Sequence, residues 1–253
     1  MKLDHPAASQ HSALKELWKE AFHDTDASVD AFFRTGFAPS RCRCITVDGE
    51  LAAALHWLDM TCRGQRVAYI YAVATKKAFQ GQGLCRALME NTHIFLRSRG
   101  YDTCVLSPAS AGLFAMYESM GYSLCASLSE IHCNAGTDPL PLRAVDAESY
   151  NTWRRALLPS GGLELGKEAL AYLASFAELY SGDGVALAGY RDDDGQFHGI
   201  ELLPDASAAP QILTALGCES GTFRIPGQAY PHAMYYPLHP TAEKPAYLGI
   251  AFD

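Results

Sequence analysis

The sequence predicts a mixed α/β (α+β) protein, a mostly antiparallel sheet flanked by helices, and three observations carry that expectation. Helical apolar faces alternate along the chain with short β-rich runs. Three strand-like runs, Arg43–Val47, Leu51–Leu58 and Arg66–Val73, are separated by Asp48-Gly49 and by Cys62-Arg63-Gly64-Gln65, both hairpin signals. The third run leads into a turn bearing Gly81 and Gly83, after which Leu84, Leu88 and Phe95 recur at helical spacing.

Taken in order, His11–Asp24 reads as the first helix, with Leu14, Leu17, Trp18 and Phe22 on one face. Ser28 is placed to cap a second, short helix carrying Val29, Phe32 and Phe33. The three-strand meander follows, then the glycine turn and its helix, which ends at Gly100 after Arg97 and Arg99. Asp102–Ser107 is a short strand, Ala111–Met120 a helix capped by Ser110, and Tyr122–His132 another strand. One crossover helix therefore joins two neighbouring strands.

Asn134–Pro141 is turn-rich and marks a boundary between residues 1–135 and 136–253. Beyond it, Glu148–Leu157 and Lys167–Leu179 read as helices, and Val185–Tyr190 and Phe197–Leu203 as strands about a turn at Asp192–Gly195. Ala209–Leu216 is a helix stopped by Gly217, followed by short strands near Gly221–Ile225, Ala233–Leu238 and Ala246–Ala251. The Asp192-Asp193-Asp194-Gly195 run lacks the alternating ligands and distal Glu of a calcium loop and fits a hairpin turn.

Composition narrows the function classes. With 253 residues, 49% hydrophobic and 19% charged, the chain is long enough for one large or two small cores. No apolar run approaches the ~18 residues of a membrane span, and the N-terminus lacks an apolar signal core, so a cytoplasmic location is expected. Eight scattered cysteines form no C-x-x-C, and nine dispersed histidines form no ligand pair; buried thiols and no metal are expected. A formal net charge of −8 argues against nucleic-acid binding and leaves room for a cationic small molecule.

The glycine turn is built to hold a phosphate, because such a turn aims several N–H groups and the positive end of a helix at one spot. A P-loop needs Lys-Ser/Thr after its last glycine, where Leu84-Cys85 stand. A dinucleotide fingerprint needs a third glycine, where Arg86 stands. Gln80, Gly83 and the site of Cys85 instead fall on Q/R-x-x-G-x-G/A, with Cys85 the one departure. That is the acyl-CoA loop of the GCN5-related N-acetyltransferase (GNAT) superfamily, which the chain resembles from His11 to about Cys133. VATKKAFQGQG resembles the V-A-T-x-P-x-x-R-G-x-G form of many bacterial members. LKELWKEAF, YIYAVAT, QGQGLCRALM and SPASAGLFAMYESMGY are similar to the corresponding segments. The resemblance implies the GNAT acyl-CoA N-acyltransferase fold, and tandem members imply that residues 136–253 are a smaller, degenerate GNAT-like half.

It also implies an N-acetyltransferase moving acetyl from acetyl-CoA, as cosubstrate, to a primary amine of a small molecule or peptide by direct attack. In that reading Gln80, Gly81, Gln82, Gly83, Leu84, Cys85 and Arg86 cradle the pyrophosphate with backbone N–H groups. Val73, Ala74 and Thr75 pair with the pantetheine arm, and one of their N–H groups stabilises the oxyanion. Tyr117 matches the tyrosine that faces the coenzyme sulfur; a phenol, pKa ~10, is protonated at neutral pH and can donate to a departing thiolate. The expected Glu on the strand RVAYIYAVAT is missing, so the base stays open among His56, Asp59, Tyr69, Tyr71, His23 and Glu118. Two other readings stand beside this one: a non-catalytic acyl-CoA sensor, and a chain whose C-terminal half binds a protein partner and presents its lysine. No nucleic acid or membrane partner is expected, and a homodimer is left open.

Overall fold

The computed structural model describes residues 1–252. Its first half runs β1 (Lys2–Asp4), α1 (His11–Phe22), α2 (Asp26–Thr35), β2 (Cys42–Val47), β3 (Glu50–Cys62) and β4 (Gln65–Thr75). It continues with α3 (Leu84–Ser98), β5 (Thr103–Leu106), α4 (Ala111–Glu118) and β6 (Ser123–Asn134). The second half runs β7 (Arg143–Ala144), α5 (Ala147–Leu157), β8 (Glu164–Leu165), α6 (Lys167–Leu173), β9 (Glu178–Gly182), β10 (Val185–Arg191) and β11 (Phe197–Leu203). It closes with α7 (Ala209–Leu216), β12 (Ser220–Pro226) and β13 (Tyr230–Pro237).

Apart from the two-residue β8, which pairs with β3, both halves start with the same order: strand, two helices, three strands, helix, strand. The strands make one sheet, β1-β2-β3-β4-β5-β13-β6-β12-β11-β10-β9-β7, which reads alike from either end. The named pairs β4–β5 and β11–β12 are parallel, each across a single helix; the other named pairs are antiparallel. At the centre the halves exchange strands. β13 pairs with β5 (Met234↔Leu106), β6 pairs with β12 (Thr222↔His132), and β6 and β13 pair with each other. The sheet is thus continuous across the boundary expected near residue 135.

Local chemistry explains the elements. Asp48-Gly49 and Arg63-Gly64 both take positive φ, the backbone that a two-residue hairpin turn demands, and they set the β2–β3 and β3–β4 registers. Ser110 caps α4 as expected, accepting from the Leu113 N–H. The cap of α2 is Thr25 rather than Ser28: its hydroxyl accepts from the Ser28 N–H at 3.2 Å, so the helix starts one turn earlier than expected. Expected to run to Leu179, α6 ends at Leu173, and Glu178–Gly182 is a strand. There Ser175 bonds back to the Tyr172 carbonyl at 2.7 Å, and Asp183-Gly184, with φ of 42° and 78°, makes a β9–β10 hairpin. Residues 246–251 form no regular strand; Tyr247 makes one bridge to Gly162, and the segment continues into the core.

Alternation along the strands fills two faces. Leu58 and Tyr69 point into one core with Trp18, Phe32, Tyr150 and Leu173, so residues of both halves share it. Trp57 and Ile70 point the other way, against Leu88 and Leu96 of α3. The second half has the matching cluster, Phe197 and Phe223 against Ile212 and Leu213 of α7.

Candidate active site

β4 and β5 hold together only from Val67↔Thr103 to Tyr69↔Val105, then part. On its other side β4 stays paired with β3 to Ala53↔Thr75. Residues 71–75 therefore offer a bare backbone edge, the arrangement that accepts an added extended chain. A bulge sharpens it: Ala54 faces Ala74 and His56 faces Tyr71, so one residue of β3 opposes two of β4, and Ala72 sits at φ 49°. A left-handed alanine is strained, and such strain clusters at working sites.

A cavity of about 530 Å³ opens where the strands part. Val73, Thr75, Gln80 and Cys85 line it from the β4 side, and Tyr117 and Met116 from α4. Five of the expected site residues, Val73, Thr75, Gln80, Cys85 and Tyr117, thus meet at one place. Ala74 is buried in a neighbouring core and Leu84 in the core under α3. Gly81 and Gly83 have φ of 74° and 76°, and a side chain on either would meet nothing within 4 Å, so the space above the turn is open. Gly83 caps the fifteen-residue α3 without a side-chain bond, leaving the helix's first N–H groups without intrahelical partners. The turn thus has what a pyrophosphate needs: room, left-handed glycines and a helix start.

The side chains around the turn are engaged elsewhere. Gln80 folds back, its amide donating to the Thr75 carbonyl at 3.1 Å. Gln82 lies exposed on the turn. Arg86 reaches Ser119 at the end of α4, 2.8 Å to Oγ and 3.1 Å to the carbonyl, and so ties the turn's helix to the helix of Tyr117. Lys76 pairs with Glu50, and the Lys77 N–H donates to Glu20 at 2.7 Å. Burial pushes both the Cys85 thiol and the Tyr117 phenol up, so each is neutral near pH 7 and Tyr117 keeps a proton to donate.

The base candidates separate. Tyr69 and Tyr71 line the cavity. Their hydroxyls donate to the carbonyls of Ala251 and Phe252, the latter at 2.8 Å, which places these two residues against the cavity wall. His56 is boxed behind it by Trp18, Phe32, Phe33 and Phe37, with ring centroids 5.2–6.0 Å away. Burial pushes its imidazole down to about 3, and Nδ1 has no hydrogen-bond partner. Asp59 accepts from Tyr101 and lies 3.6 Å from Arg41. His23 is the left-handed cap of α1, and Glu118 is exposed; neither lines the cavity. Asp24, which sequence reasoning passed over, does: the Trp18 indole N–H holds one of its oxygens at 2.7 Å. Nothing in the sequence marks it, because its place depends on how α1 turns at His23.

Comparison with known proteins agrees with this geometry. An acetyltransferase (GNAT) domain model matches residues 3–125. The match places an acetyl-transfer domain of the GCN5-related N-acetyltransferase type at residues 3–125. Over nearly its whole length the chain is similar in structure to a GCN5-related N-acetyltransferase from Anabaena variabilis, with TM-score 0.75, 17% identity, and 94% of this chain and 73% of that one covered. It is similar also to one from Kribbella flavida (TM-score 0.73, 16% identity, 93% and 70% covered). A putative acetyltransferase from Pyrococcus horikoshii aligns over 98% of this chain and 93% of its own, with TM-score 0.64 and 16% identity. At these identities the likeness concerns the fold. No curated protein matches the sequence. Among the described residues no helix is long and apolar enough to cross a membrane, and no group of three His, Cys, Asp or Glu could hold a metal ion.

Proposed function

We propose that the chain is an acetyl-CoA-dependent N-acetyltransferase acting on a primary amine by direct attack. The observation that carries the reading is the meeting, at one cavity, of the bare β4 edge, the open glycine turn and Tyr117. Backbone N–H groups of residues 80–86 hold the pyrophosphate, and Val73–Thr75 pair with the pantetheine amides. The amine loses one proton to water at the cavity mouth beside Asp24, and its nitrogen then bonds the acyl carbon as the carbon–sulfur bond breaks. Tyr117 donates its proton to the departing sulfur and regains one from the acylated nitrogen, so one proton is released overall. An N–H next to the Ala72 bulge stabilises the charge on the acyl oxygen.

In this proposal residues 1–135 carry the chemistry, and residues 136–253 are a second copy of the topology without a coenzyme site. The location is cytoplasmic, in keeping with eight free thiols. A second reading, a non-catalytic acyl-CoA sensor, draws on Gln80, whose side chain turns back to Thr75 instead of outward. Release of free thiol from acetyl-CoA across a panel of amines and protein lysate separates the two. Amine-dependent release is expected; tight CoA binding by calorimetry with no release by any acceptor would overturn the enzyme reading.

A further inference from the structure

Resting on the transferase reading, we infer that the acceptor end of the cavity selects an amine with a single positive charge and an apolar, aromatic-compatible body. Trp18, Phe22, Tyr69, Tyr71 and Phe252 present aromatic surface there, and Asp24 is the one charged side chain among the described lining residues. Aromatic faces and a carboxylate both attract an ammonium.

The hydrogen-bond inventory sharpens the choice. The polar hydrogens of this end are already given to the protein: Trp18 to Asp24 at 2.7 Å, Tyr69 to the Ala251 carbonyl, Tyr71 to the Phe252 carbonyl at 2.8 Å. Ser107, where the cavity meets β5, donates to the His232 carbonyl at 2.8 Å. What faces the ligand is therefore acceptor and π-surface, complementary to a donor cation. A polyhydroxylated amino sugar would leave its oxygens without donors, and a buried acceptor without a partner is costly. A polyamine would bring further charges that the one carboxylate among the described lining residues does not match.

Steady-state thiol release with phenethylamine, spermidine and glucosamine tests this on the full chain. Phenethylamine is expected to exceed the other two in kcat/KM by about tenfold or more. Asp24→Asn is expected to raise its KM by about tenfold while leaving the acetyl-CoA KM unchanged, and Asp24→Glu to recover part of the loss. Preference for spermidine or glucosamine, or an unchanged KM in D24N, would overturn the inference while the transferase reading stood. Calorimetry of phenethylamine alone separates the two further. Binding that D24N weakens, with no thiol release from any amine, would support the subsite and sink the transferase reading. Absence of phenethylamine binding would sink the subsite whatever the turnover.

Discussion

The two halves share one topology, but the candidate site is built on the first, and two connections set the halves apart. Between β4 and α3 the first half places Gly81 and Gly83 in left-handed backbone under open space. Between β11 and α7 the second half has Pro204-Asp205-Ala206-Ser207-Ala208, without a glycine. Pro204 and Pro210 have no N–H to offer, the Ser207 N–H is taken by Asp205 at 2.8 Å, and the linker lies over the start of α7, Gly136 bonding to the Pro210 carbonyl at 2.9 Å. Between β5 and β6 the first half inserts α4 with Tyr117, whereas β12 passes to β13 through a short loop. A shared sheet thus fixes where a site can form, and short connections decide whether it does.

The largest effect tests that contrast directly. Gly83→Val places a β-branched residue at φ 76° and a side chain in the space over the turn. In the proposed site several charge-assisted bonds to phosphate depend on that backbone, so CoA affinity is expected to fall by more than about 10³-fold. Far-UV circular dichroism should stay native. Ala206→Gly, in the matching connection of the second half, should neither weaken nor create CoA binding. Equal calorimetric affinities for the wild type and G83V would break the comparison.

One buried ionisable site in each half shows opposite treatment. In the second, Arg154 and Glu201 are wholly buried and fully partnered: Nε–Oε2 at 2.6 Å and NH2–Oε1 at 3.0 Å, with Tyr150 and Tyr247 each donating to Glu201 at 3.0 Å. Burial pulls the guanidinium pKa down, but the charge and hydrogen bonds of Glu201 more than offset it. Arg154→Met would strand a buried carboxylate and is expected to cost about 3–5 kcal/mol in urea unfolding. Because the network also grips Tyr247, in the segment that leads to Ala251 and Phe252, the surviving folded fraction should show a raised amine KM. A loss under about 1 kcal/mol would mean that water already reaches the pair.

Tyr117→Phe addresses the inserted helix. Losing one positioned proton donor is expected to lower kcat by about 10²-fold, within the usual range for acid–base catalysis. The coenzyme Kd should stay within about twofold, since in the proposed site the phenol meets the sulfur and not the phosphates. Unchanged turnover would remove Tyr117 from the mechanism.

The features legible in advance were those with local codes. Asp48-Gly49 and the Gly81/Gly83 turn announce themselves because only certain residues tolerate their backbone. Asp183-Gly184 carries the same code, but the helix expected over Lys167–Leu179 runs into the first two residues of β9, so that hairpin is not anticipated. The exchange of β6 and β13 has no local code: it is fixed by pairing between segments about a hundred residues apart. Asp24 and the aromatic wall at Phe252 were hidden for the same reason, since the carbonyls that Tyr69 and Tyr71 hold lie more than 180 residues downstream.

His56 gives the smallest effect and the sharpest contrast with the Arg154–Glu201 pair. It has no charged partner and sits among aromatic rings, so the fold keeps it neutral. Its folded pKa, about 3, lies below the unfolded value, 6.5. Below pH 6.5 the unfolded chain binds a proton that the folded protein refuses. The stability present above that pH is therefore lost as pH falls toward 3, at up to about 1.4 kcal/mol per unit. Between pH 7 and pH 5 the loss from this one group should be about 2 kcal/mol. His56→Leu removes the titration without leaving an unpaired polar atom. Urea midpoints at pH 7 and pH 5 should then lie closer together in the variant than in the wild type. The same spread in both would mean that His56 takes up its proton inside the fold, and that its contrast with the Arg154–Glu201 pair fails.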